Sequence, residues 1–241
     1  MKKAIITGAT SGIGRELALQ LAQKGYYVGL IGRRTERLEQ LAEEIGENAF
    51  FRTLDVTDLE TASIMYRGLA DEMGGLDLMI LNAGIGNTKL LPNWESDHNI
   101  INVNVMAFAH GMHFAFNYFR EQGHGHIVGM SSMATHLSSG RAAAYTASKH
   151  FISNYMRGFR QKANVLNTNI TITDIRPGFV VSEITENLKR MFWVAPTEKA
   201  VQQMVQAIEK KKKRVYITKR WNIMAFLAKL VPEFVWDNIK A

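Results

Sequence analysis

Short apolar runs alternate with amphipathic helical patterns along almost the whole chain. The apolar runs predict strands at residues 2–7, 26–31, 49–54, 76–81, 127–130, 170–175 and 215–217. The other patterns predict helices at residues 12–24, 35–45, 59–73, 93–120, 142–166, 196–211 and 221–239, the last interrupted near Pro232. Strands and helices that alternate in this way form a parallel sheet with right-handed crossovers and helices on both faces. We therefore predict an α/β, doubly wound fold.

Length and composition favour one domain in a reducing compartment. A chain of 241 residues suits a single α/β domain, since such domains often reach ~250 residues. No linker, repeat or low-complexity tract divides it, and we expect one domain over residues 1–241. The absence of cysteine excludes disulfides, thiolate catalysis and cysteine-ligated metals. The first apolar run is too short for a signal peptide, and no apolar stretch approaches the ~18 residues of a membrane span. We expect a cytoplasmic protein.

The net charge of +7 suits an anionic partner. Much of the excess lies in residues 210–214, and Lys219, Arg220 and Lys229 follow. Such a balance is compatible with nucleic acid, anionic lipid or an anionic cofactor. The basic residues do not interleave with a nucleic-acid-binding motif, so we expect no nucleic-acid partner.

A glycine-rich turn joins the first strand to the first helix, in the sequence Thr7-Gly8-Ala9-Thr10-Ser11-Gly12-Ile13-Gly14. Gly8 permits a sharp exit from the strand, Gly12 lets backbone amides approach a pyrophosphate, and Gly14 allows close packing of helix on strand. The start of the helix then offers free N–H groups to phosphates. Glycine-rich corners also occur for packing reasons alone, and the spacing differs from G-x-G-x-x-G. The position after the first strand favours dinucleotide binding.

A second constellation suggests acid–base chemistry. Tyr145 and Lys149 are one helical turn apart, so both project from one face, and Ser132 directly follows the fifth strand. A free tyrosine has a pKa of ~10, and a nearby ammonium lowers it towards the working range of a general acid or base. The alternative is that Tyr145 and Lys149 only decorate an amphipathic helix. A serine-hydrolase site is excluded, because residues 129–133 lack the closing glycine of a nucleophile elbow.

Taken in order, these motifs resemble the short-chain dehydrogenase/reductase family from about Lys2 to Ser182. The resemblance also includes Asn82-Ala83-Gly84, Asn104, and Pro177-Gly178. It implies a Rossmann-type, seven-stranded parallel sheet ordered 3-2-1-4-5-6-7. It also implies an oxidoreductase that acts on a small carbonyl or secondary alcohol. A catalytically silent NADP(H)-binding sensor or scaffold is the alternative, and the intact catalytic set argues against it.

The resemblance gives each catalytic residue a role. Asn104, Ser132, Tyr145 and Lys149 form the catalytic set. Ser132 holds the substrate oxygen and Tyr145 exchanges a proton with it. Lys149 also grips the nicotinamide ribose, and Asn104 holds a water that relays protons. The predicted cofactor residues are Gly8, Ser11, Gly12, Ile13, Gly14, Arg33, Arg34, Asp55, Val56, Asn82, Ala83, Gly84, Tyr145, Lys149, Pro177, Gly178, Val180 and Ser182.

The end of the second strand predicts the form of the cofactor. An NAD enzyme needs an acidic residue there to accept from the adenosine ribose. The chain has Gly32 instead, followed by Arg33 and Arg34. Guanidinium groups at the start of a helix suit a 2′-phosphate, although solvated surface arginines are the alternative. We predict NADP(H), with NAD(H) less favoured.

Histidine spacing does not indicate a metal site. His110 and His113, and likewise His124 and His126, lack a third ligand or a carboxylate cluster nearby. We therefore expect no metal. His136 lies near Ser132, where it could touch substrate or belong to a surface loop.

Two apolar segments and two long helices bear on partners. Residues 180–195 resemble the family's substrate lid, which suggests an apolar substrate body, but they could equally seal a core edge. Residues 221–239 could lie at a membrane interface or pack on protein, and we expect no stable anchor, leaving weak interfacial contact open. The helices at 93–120 and 142–166 predict a subunit interface of a homodimer or homotetramer.

Overall fold

A parallel sheet of seven strands, ordered β3-β2-β1-β4-β5-β6-β7, forms the centre of the computed structural model, which describes residues 1–88, 90–183, 185, 191–228 and 230–238. The strands are β1 (Lys3–Thr7), β2 (Tyr27–Gly32), β3 (Ala49–Thr53), β4 (Leu78–Leu81), β5 (His124–Met130), β6 (Asn169–Pro177) and β7 (Arg214–Ile217). The helices are α1 (Gly12–Gln23), α2 (Thr35–Ile45), α3 (Leu59–Glu72), α4 (Trp94–Ile101), α5 (Phe108–Gln122), α6 (Ala143–Val165), α7 (Thr197–Glu209), α8 (Trp221–Ala228) and α9 (Glu233–Asn238). The predicted Rossmann-type fold and strand order are confirmed.

Helices cover both faces of the sheet, and side-chain alternation along the strands feeds two core layers. In β1, Ile5 packs with residues of α3, α5 and α6, whereas Ala4 and Ile6 pack with α1, α2 and α7. All three are fully buried. A strand buried on both faces reads as a continuous apolar run, which is why the sequence pattern found it. From β1 the strands are added in one direction to β3, and from β4 they are added in the opposite direction to β7. Ligands of open α/β sheets bind where the strand order reverses in this way, here between β1 and β4.

The predicted single helix at 93–120 is interrupted. Asn93 caps α4 by accepting from the Ser96 N–H at 2.9 Å. A π-helical turn at Asn102–Ala107 then joins α4 to α5, which runs on to Gln122. The apolar periodicity does not register the extra residue of a π turn. Such turns are often found at functional sites, and this one holds Asn104 with no exposed surface.

The C-terminal region consists of α8 and α9, separated around Pro232 as predicted. Trp221 is buried and its ring lies 5.7 Å from that of Phe179. The outer side of this region stays apolar and exposed at Ile223, Phe226 and Phe234. Within the described residues, no helix is both long and apolar enough to cross a bilayer. In the predicted lid at 180–195, residues 184 and 186–190 lie outside the described residues.

A buried ion pair in β6 was not predicted. Arg176 donates from Nε to Asp174 Oδ2 at 2.9 Å, and both side chains are buried, Asp174 completely. Ser131, directly before Ser132, donates to the other carboxylate oxygen, and Ser153 of α6 donates to Oδ2 at 2.8 Å. The pair thereby joins the end of β5 to the middle of α6.

The same arginine reaches towards β7. Its Nη1 lies 2.8 Å from His136 Nε2 and 2.9 Å from the Tyr216 hydroxyl. The half-buried His136 ring is therefore held by this network, and whether it also touches substrate stays a prediction. A charged network of this kind depends on every member being paired.

We expect Asp174→Asn to lower the free energy of unfolding by about 3–5 kcal/mol, because it leaves the Arg176 guanidinium buried without a counter-charge. Urea unfolding followed by circular dichroism measures the loss. Glu44→Gln is the matched control, since it neutralises an exposed carboxylate paired with Arg15 and should cost under about 1 kcal/mol. Equal losses in the two variants would contradict this role of Asp174.

Candidate active site

The turn between β1 and α1 has the shape that its glycines predict. Gly8 and Gly12 have φ angles of +71° and +51°, which other residues rarely adopt. A Cβ on Gly14 would lie 2.1 Å from the Gly8 carbonyl oxygen. Asn82, after β4, donates from Nδ2 to the carbonyls of Thr7 and Gly8 at 3.0 and 3.1 Å. The turn is therefore both close to the sheet and anchored to it.

A cleft of about 410 Å³ opens beside this turn, at the carboxyl ends of the central strands. The predicted cofactor residues that line it are Gly8, Ser11, Gly12, Ile13, Gly14, Arg33, Arg34, Asp55, Val56, Asn82, Ala83, Gly84 and Ser182. Thr10, Gly32 and Glu183 line it as well and were not predicted. Tyr145, Lys149, Pro177, Gly178 and Val180 were predicted for the cofactor site but are not among the lining residues.

Lys149 nevertheless borders the cleft through Gly84. A Cβ on Gly84 would lie 3.4 Å from Lys149 Nζ and 3.3 Å from Asn104 Oδ1. Gly84 is therefore the thinnest part of the wall between the cleft and these two side chains. A group that entered the cleft at Gly84 would come close to the Lys149 ammonium.

The residues after β6 mostly serve packing. A Cβ on Gly178 would lie 1.9 Å from Nε1 of Trp221. The backbone N–H of Gly178 donates to the Ile217 carbonyl. Val180 is buried and pairs with Ala195 in an isolated bridge. Ser182 and Glu183 return to the cleft, where a Cβ on Gly12 would lie 3.2 Å from the Cβ of Ser182. Part of the predicted lid therefore lies directly against the glycine turn.

The opposite end of the cleft carries arginines. Arg33 has 64% of its side chain exposed, and its one ion pair with the residues that the structure describes is a long, 3.5 Å contact with Asp55. The Nη2 of Arg34 donates to the hydroxyls of Thr10 and Ser11, both at 2.8 Å. The Asp55 carboxylate also accepts from the N–H and hydroxyl of Thr57, at 3.0 and 2.8 Å. Positive charge thus faces the cleft at the end of β2.

Gly32, the last residue of β2, cannot be replaced freely. A Cβ at this position would lie 2.4 Å from Cγ2 of Thr10. An acidic side chain at the end of β2 would therefore collide with the glycine-rich turn as it stands. This packing gives a physical reason for the missing acid that the sequence alone did not supply.

Ser132, Tyr145 and Lys149 come together next to one another, with Lys149 behind the Gly84 wall of the cleft. Lys149 is 6% exposed, donates from Nζ to the Met130 carbonyl at 3.1 Å, and lies 5.5 Å from the centre of the Tyr145 ring. Burial lowers the pKa of Lys149 to about 8. Burial raises the pKa of the Tyr145 phenol, and a hydrogen bond with Ser132 acts in the opposite direction.

The expected lowering of the tyrosine pKa is therefore wrong for the protein alone. The expectation assumed that the Lys149 ammonium would dominate. In the structure, desolvation outweighs the hydrogen bond with Ser132 and raises the pKa of Tyr145, because the phenolate would lose its water in this half-buried position. Further positive charge beside the phenol would be needed to bring its pKa down.

Asn104 joins two parts of the site. Its Oδ1 accepts from the N–H of Ile85 at 2.9 Å, and its Nδ2 donates to the Ile85 carbonyl at 2.9 Å and to Ser148 Oγ at 3.0 Å. Both donors of the amide are thereby used. The side chain fixes the loop after β4 relative to α6, which carries Tyr145 and Lys149.

A smaller cavity of about 130 Å³ lies on another side of Tyr145. Leu90, Leu91 and Ile100 give it apolar walls, and Asn87 and Arg141 are among its polar lining residues. Sequence reasoning missed this cavity because the loop at 86–92 carries neither a motif nor a periodic pattern.

The histidines outside this site have other partners. His110 lies 3.1 Å from the Ser63 hydroxyl, and the buried His126 lies 2.8 Å from that of Thr173. Across the part of the chain that the structure describes, no three histidine or acidic side chains cluster as metal ligands would.

Comparison with known proteins identifies the family. A family model described as short chain dehydrogenase matches residues 2–193. A protein described as an uncharacterized oxidoreductase of Myxococcus xanthus is 37% identical, over 98% of this chain and 95% of its own. The human 15-hydroxyprostaglandin dehydrogenase [NAD(+)] is 32% identical, over 78% of this chain and 72% of its own.

Solved structures share the fold. An alcohol dehydrogenase from Thermococcus sibiricus complexed with 5-hydroxy-NADP has a TM-score of 0.80 at 24% identity, over 90% of this chain and 96% of its own. A short chain dehydrogenase/reductase from Burkholderia phymatum in complex with NAD has a TM-score of 0.85 at 20% identity, over 94% and 92%. The match of the family model to most of the chain, together with these relatives, shows that the chain belongs to the short-chain dehydrogenase family.

Proposed function

We propose that this protein is an NADP(H)-dependent oxidoreductase that interconverts a carbonyl compound and a secondary alcohol, with Tyr145 as the general acid and base. One observation carries the proposal. Lys149 lies behind Gly84 at one end of a cleft whose other end presents arginines, and the Tyr145 ring lies beside Lys149 and within hydrogen-bonding reach of Ser132.

The cleft fits a dinucleotide. Gly8, Gly12 and Gly14 have no side chains of their own on the cleft, so backbone N–H groups at the start of α1 can bind a pyrophosphate. Among related and similar proteins, one is named for NAD(+) and others are in complex with 5-hydroxy-NADP or NAD. These names support a nicotinamide cofactor. The choice between NAD(H) and NADP(H) must be argued from the residues of this chain.

The residues at the end of β2 favour NADP(H). Thr10 fills the space that an acid at position 32 would need. Arg33 is exposed and weakly paired, so its guanidinium is available to an anion. Guanidinium groups bind phosphate through parallel hydrogen bonds, and the adenosine 2′-phosphate is the anion that distinguishes NADP(H) from NAD(H).

The mechanism follows from the positions of three side chains. When bound, the nicotinamide ring supplies a hydride in reduction and accepts one in oxidation. In reduction, Ser132 donates a hydrogen bond to the carbonyl oxygen, and Tyr145 transfers its phenolic proton to that oxygen as the alcohol forms. In oxidation, Tyr145 takes the proton back. Lys149 stays largely protonated at pH 7, given its pKa of about 8, and its charge stabilises the phenolate.

Residues around Tyr145 support a substrate with an apolar part. Leu90, Leu91 and Ile100 give the smaller cavity apolar walls. Phe192 and Trp193 belong to an aromatic cluster with Phe179 and Trp221, so this described part of the 180–195 segment packs on protein. Asn87, Leu90 and Leu91 are therefore stronger candidates for substrate contact than that aromatic cluster.

The outer surface of α5 and α6 supports self-association. Phe151 and Tyr155 stack with ring centres 4.9 Å apart, and His113 lies 3.0 Å from the Tyr155 hydroxyl. We propose that this ridge forms the core of a homodimer or homotetramer interface. The exposed side chains Ile223, Phe226 and Phe234 would add a further subunit contact. A cysteine-free chain needs no oxidising compartment, and we propose a cytoplasmic location.

Tyr145→Phe should abolish turnover while NADPH binding survives. The substitution removes the phenolic oxygen and leaves the ring in place, and acid–base catalysis is typically worth ~10²–10⁴-fold. Ser132→Ala should lose rate with similar NADPH affinity. Lys149→Ala should lose both rate and affinity. A carbonyl and alcohol panel followed by NADPH absorbance measures rate, and NADPH fluorescence measures binding. Near-normal turnover in Tyr145→Phe would refute the mechanism.

NADPH should bind at least about tenfold more tightly than NADH, a difference of about 1.4 kcal/mol. Arg33→Ala should remove most of the difference, because the 2′-phosphate loses a guanidinium partner. Fluorescence titration of both cofactors tests this, with Arg15→Ala of α1 as a control of equal charge change. Equal affinities in the unaltered protein, or an unchanged Arg33→Ala, would refute the preference.

Light scattering at micromolar concentration should show a dimer or tetramer. Tyr155→Arg should shift the protein towards monomer, because a cation would replace an aromatic ring at the centre of the ridge. Circular dichroism checks that the variant is folded. A purely monomeric unaltered protein would contradict the proposed interface.

A further inference from the structure

Glu183 occupies the arginine end of the cleft. Its carboxylate accepts from Arg34 Nη1 at 3.1 Å, from Arg37 Nη1 at 2.5 Å and from the Ser11 hydroxyl at 2.9 Å. These hydrogen bonds, with that from Arg37 the strongest influence, lower the pKa of Glu183 to about 2. The carboxylate is therefore an anion throughout the physiological pH range.

The partners of this carboxylate are groups that a cofactor phosphate would use. Ser11 lies in the glycine-rich turn, and Arg34 immediately precedes α2 at the end of β2. Ser182, next to Glu183, lies against Gly12 of the same turn. Carboxylates and phosphates bind guanidinium groups with the same geometry. A phosphate that entered here would meet a negative charge already in place.

A phosphate and the Glu183 carboxylate would compete for the same donors, and their like charges would repel each other. The ion pair of the Glu183 carboxylate is accessible to water, since 49% of the Glu183 side chain and 39% of the Arg34 side chain are exposed. Exposed ion pairs of this kind are individually weak. A phosphate, with its higher charge and additional acceptor oxygens, is able to displace the carboxylate.

We propose that Glu183 is a built-in anion that occupies the phosphate-binding arginine site of the free protein and is displaced by a phosphate of the incoming cofactor. The inference rests on the proposed function for the identity of that cofactor. Glu183 then acts as a specificity residue. The Glu183 carboxylate weakens the binding of any ligand whose phosphate must displace it. Once displaced, Glu183 no longer accepts from Ser11 of the glycine turn.

Removal of the charge of Glu183 should strengthen cofactor binding. In Glu183→Gln, we expect the Kd of NADPH to fall about fivefold at low salt, the factor that the loss of a weak competing ion pair allows. Glu44→Gln is the matched control, because it neutralises a carboxylate in an exposed ion pair outside the cluster. Its NADPH affinity should stay within twofold of the unaltered protein.

Two further ligands identify which phosphate displaces Glu183. Adenosine 2′,5′-bisphosphate carries the 2′-phosphate without a pyrophosphate, and NADH carries the pyrophosphate without the 2′-phosphate. A gain for the bisphosphate and NADPH but not NADH assigns the displacement to the 2′-phosphate. An equal gain for NADPH and NADH assigns it to the pyrophosphate.

A double-mutant cycle separates displacement from a general charge effect. In an Arg34→Ala, Arg37→Ala background, the carboxylate has lost its cationic partners, so Glu183→Gln should no longer tighten binding. Equal urea midpoints would show that the variants are folded. A full gain that persists in this background would refute competition for the arginines.

The inference and the proposed function fail differently. If the unaltered protein binds neither NADPH nor NADH, the proposed function is refuted, and the inference with it. If it binds NADPH and Glu183→Gln binds no more tightly, the inference alone is refuted.

Discussion

The close approach of the first helix to the first strand is the constraint on which the rest of the site depends. Gly14 lies so near the Gly8 carbonyl oxygen that a Cβ would be 2.1 Å from it. Asn82 hydrogen-bonds across this contact and ties the end of β4 to the turn. The start of α1, the turn and the loop after β4 are therefore held together. Beside the turn, the wall of the cleft is formed by glycine backbone, which is what the close approach of a phosphate requires.

Charge is distributed unequally along that cleft. Near Gly84, a buried ammonium, Lys149, lies beside a half-buried phenol, and burial makes ionisation costly for both. At the other end, exposed arginines share a carboxylate, Glu183. Under the proposed function, both ends are completed by the same event. A bound oxidised nicotinamide brings positive charge to the phenol, and a bound phosphate replaces the carboxylate on the arginines. Under this proposal, the free protein has a Tyr145 pKa too high for efficient acid–base catalysis, and Glu183 occupies the arginines that would bind the phosphate.

Sequence reasoning recovered what depends on local pattern. Continuous apolar runs predicted β1 and β4, because strands buried on both faces have no polar side. The glycine spacing of the turn predicted its sharp exit from β1 and its close packing. It missed the π turn around Asn104, because periodicity does not report one extra residue per turn. It missed the Asp174–Arg176 pair and Glu183 for a different reason. Asp174 and Arg176 are two residues apart, but the groups that complete their burial, Ser131 and Ser153, lie far away in sequence. The arginines that bind Glu183, Arg34 and Arg37, are also far away in sequence. The sequence also suggested that the Lys149 ammonium controls the pKa of Tyr145, whereas burial of the phenol is the largest influence and raises that pKa.

The position of the cofactor in a crystal structure of the NADP⁺ complex tests the central claim most directly. The account predicts that the nicotinamide ring lies at the Gly84 end, with its reactive carbon facing Tyr145 and Ser132 across a gap wide enough for a carbonyl carbon at about 3.5 Å. It also predicts that the adenosine end lies at Arg33 and Arg34. A nicotinamide ring remote from Tyr145, or a dinucleotide bound in the reverse direction along the cleft, would contradict the account.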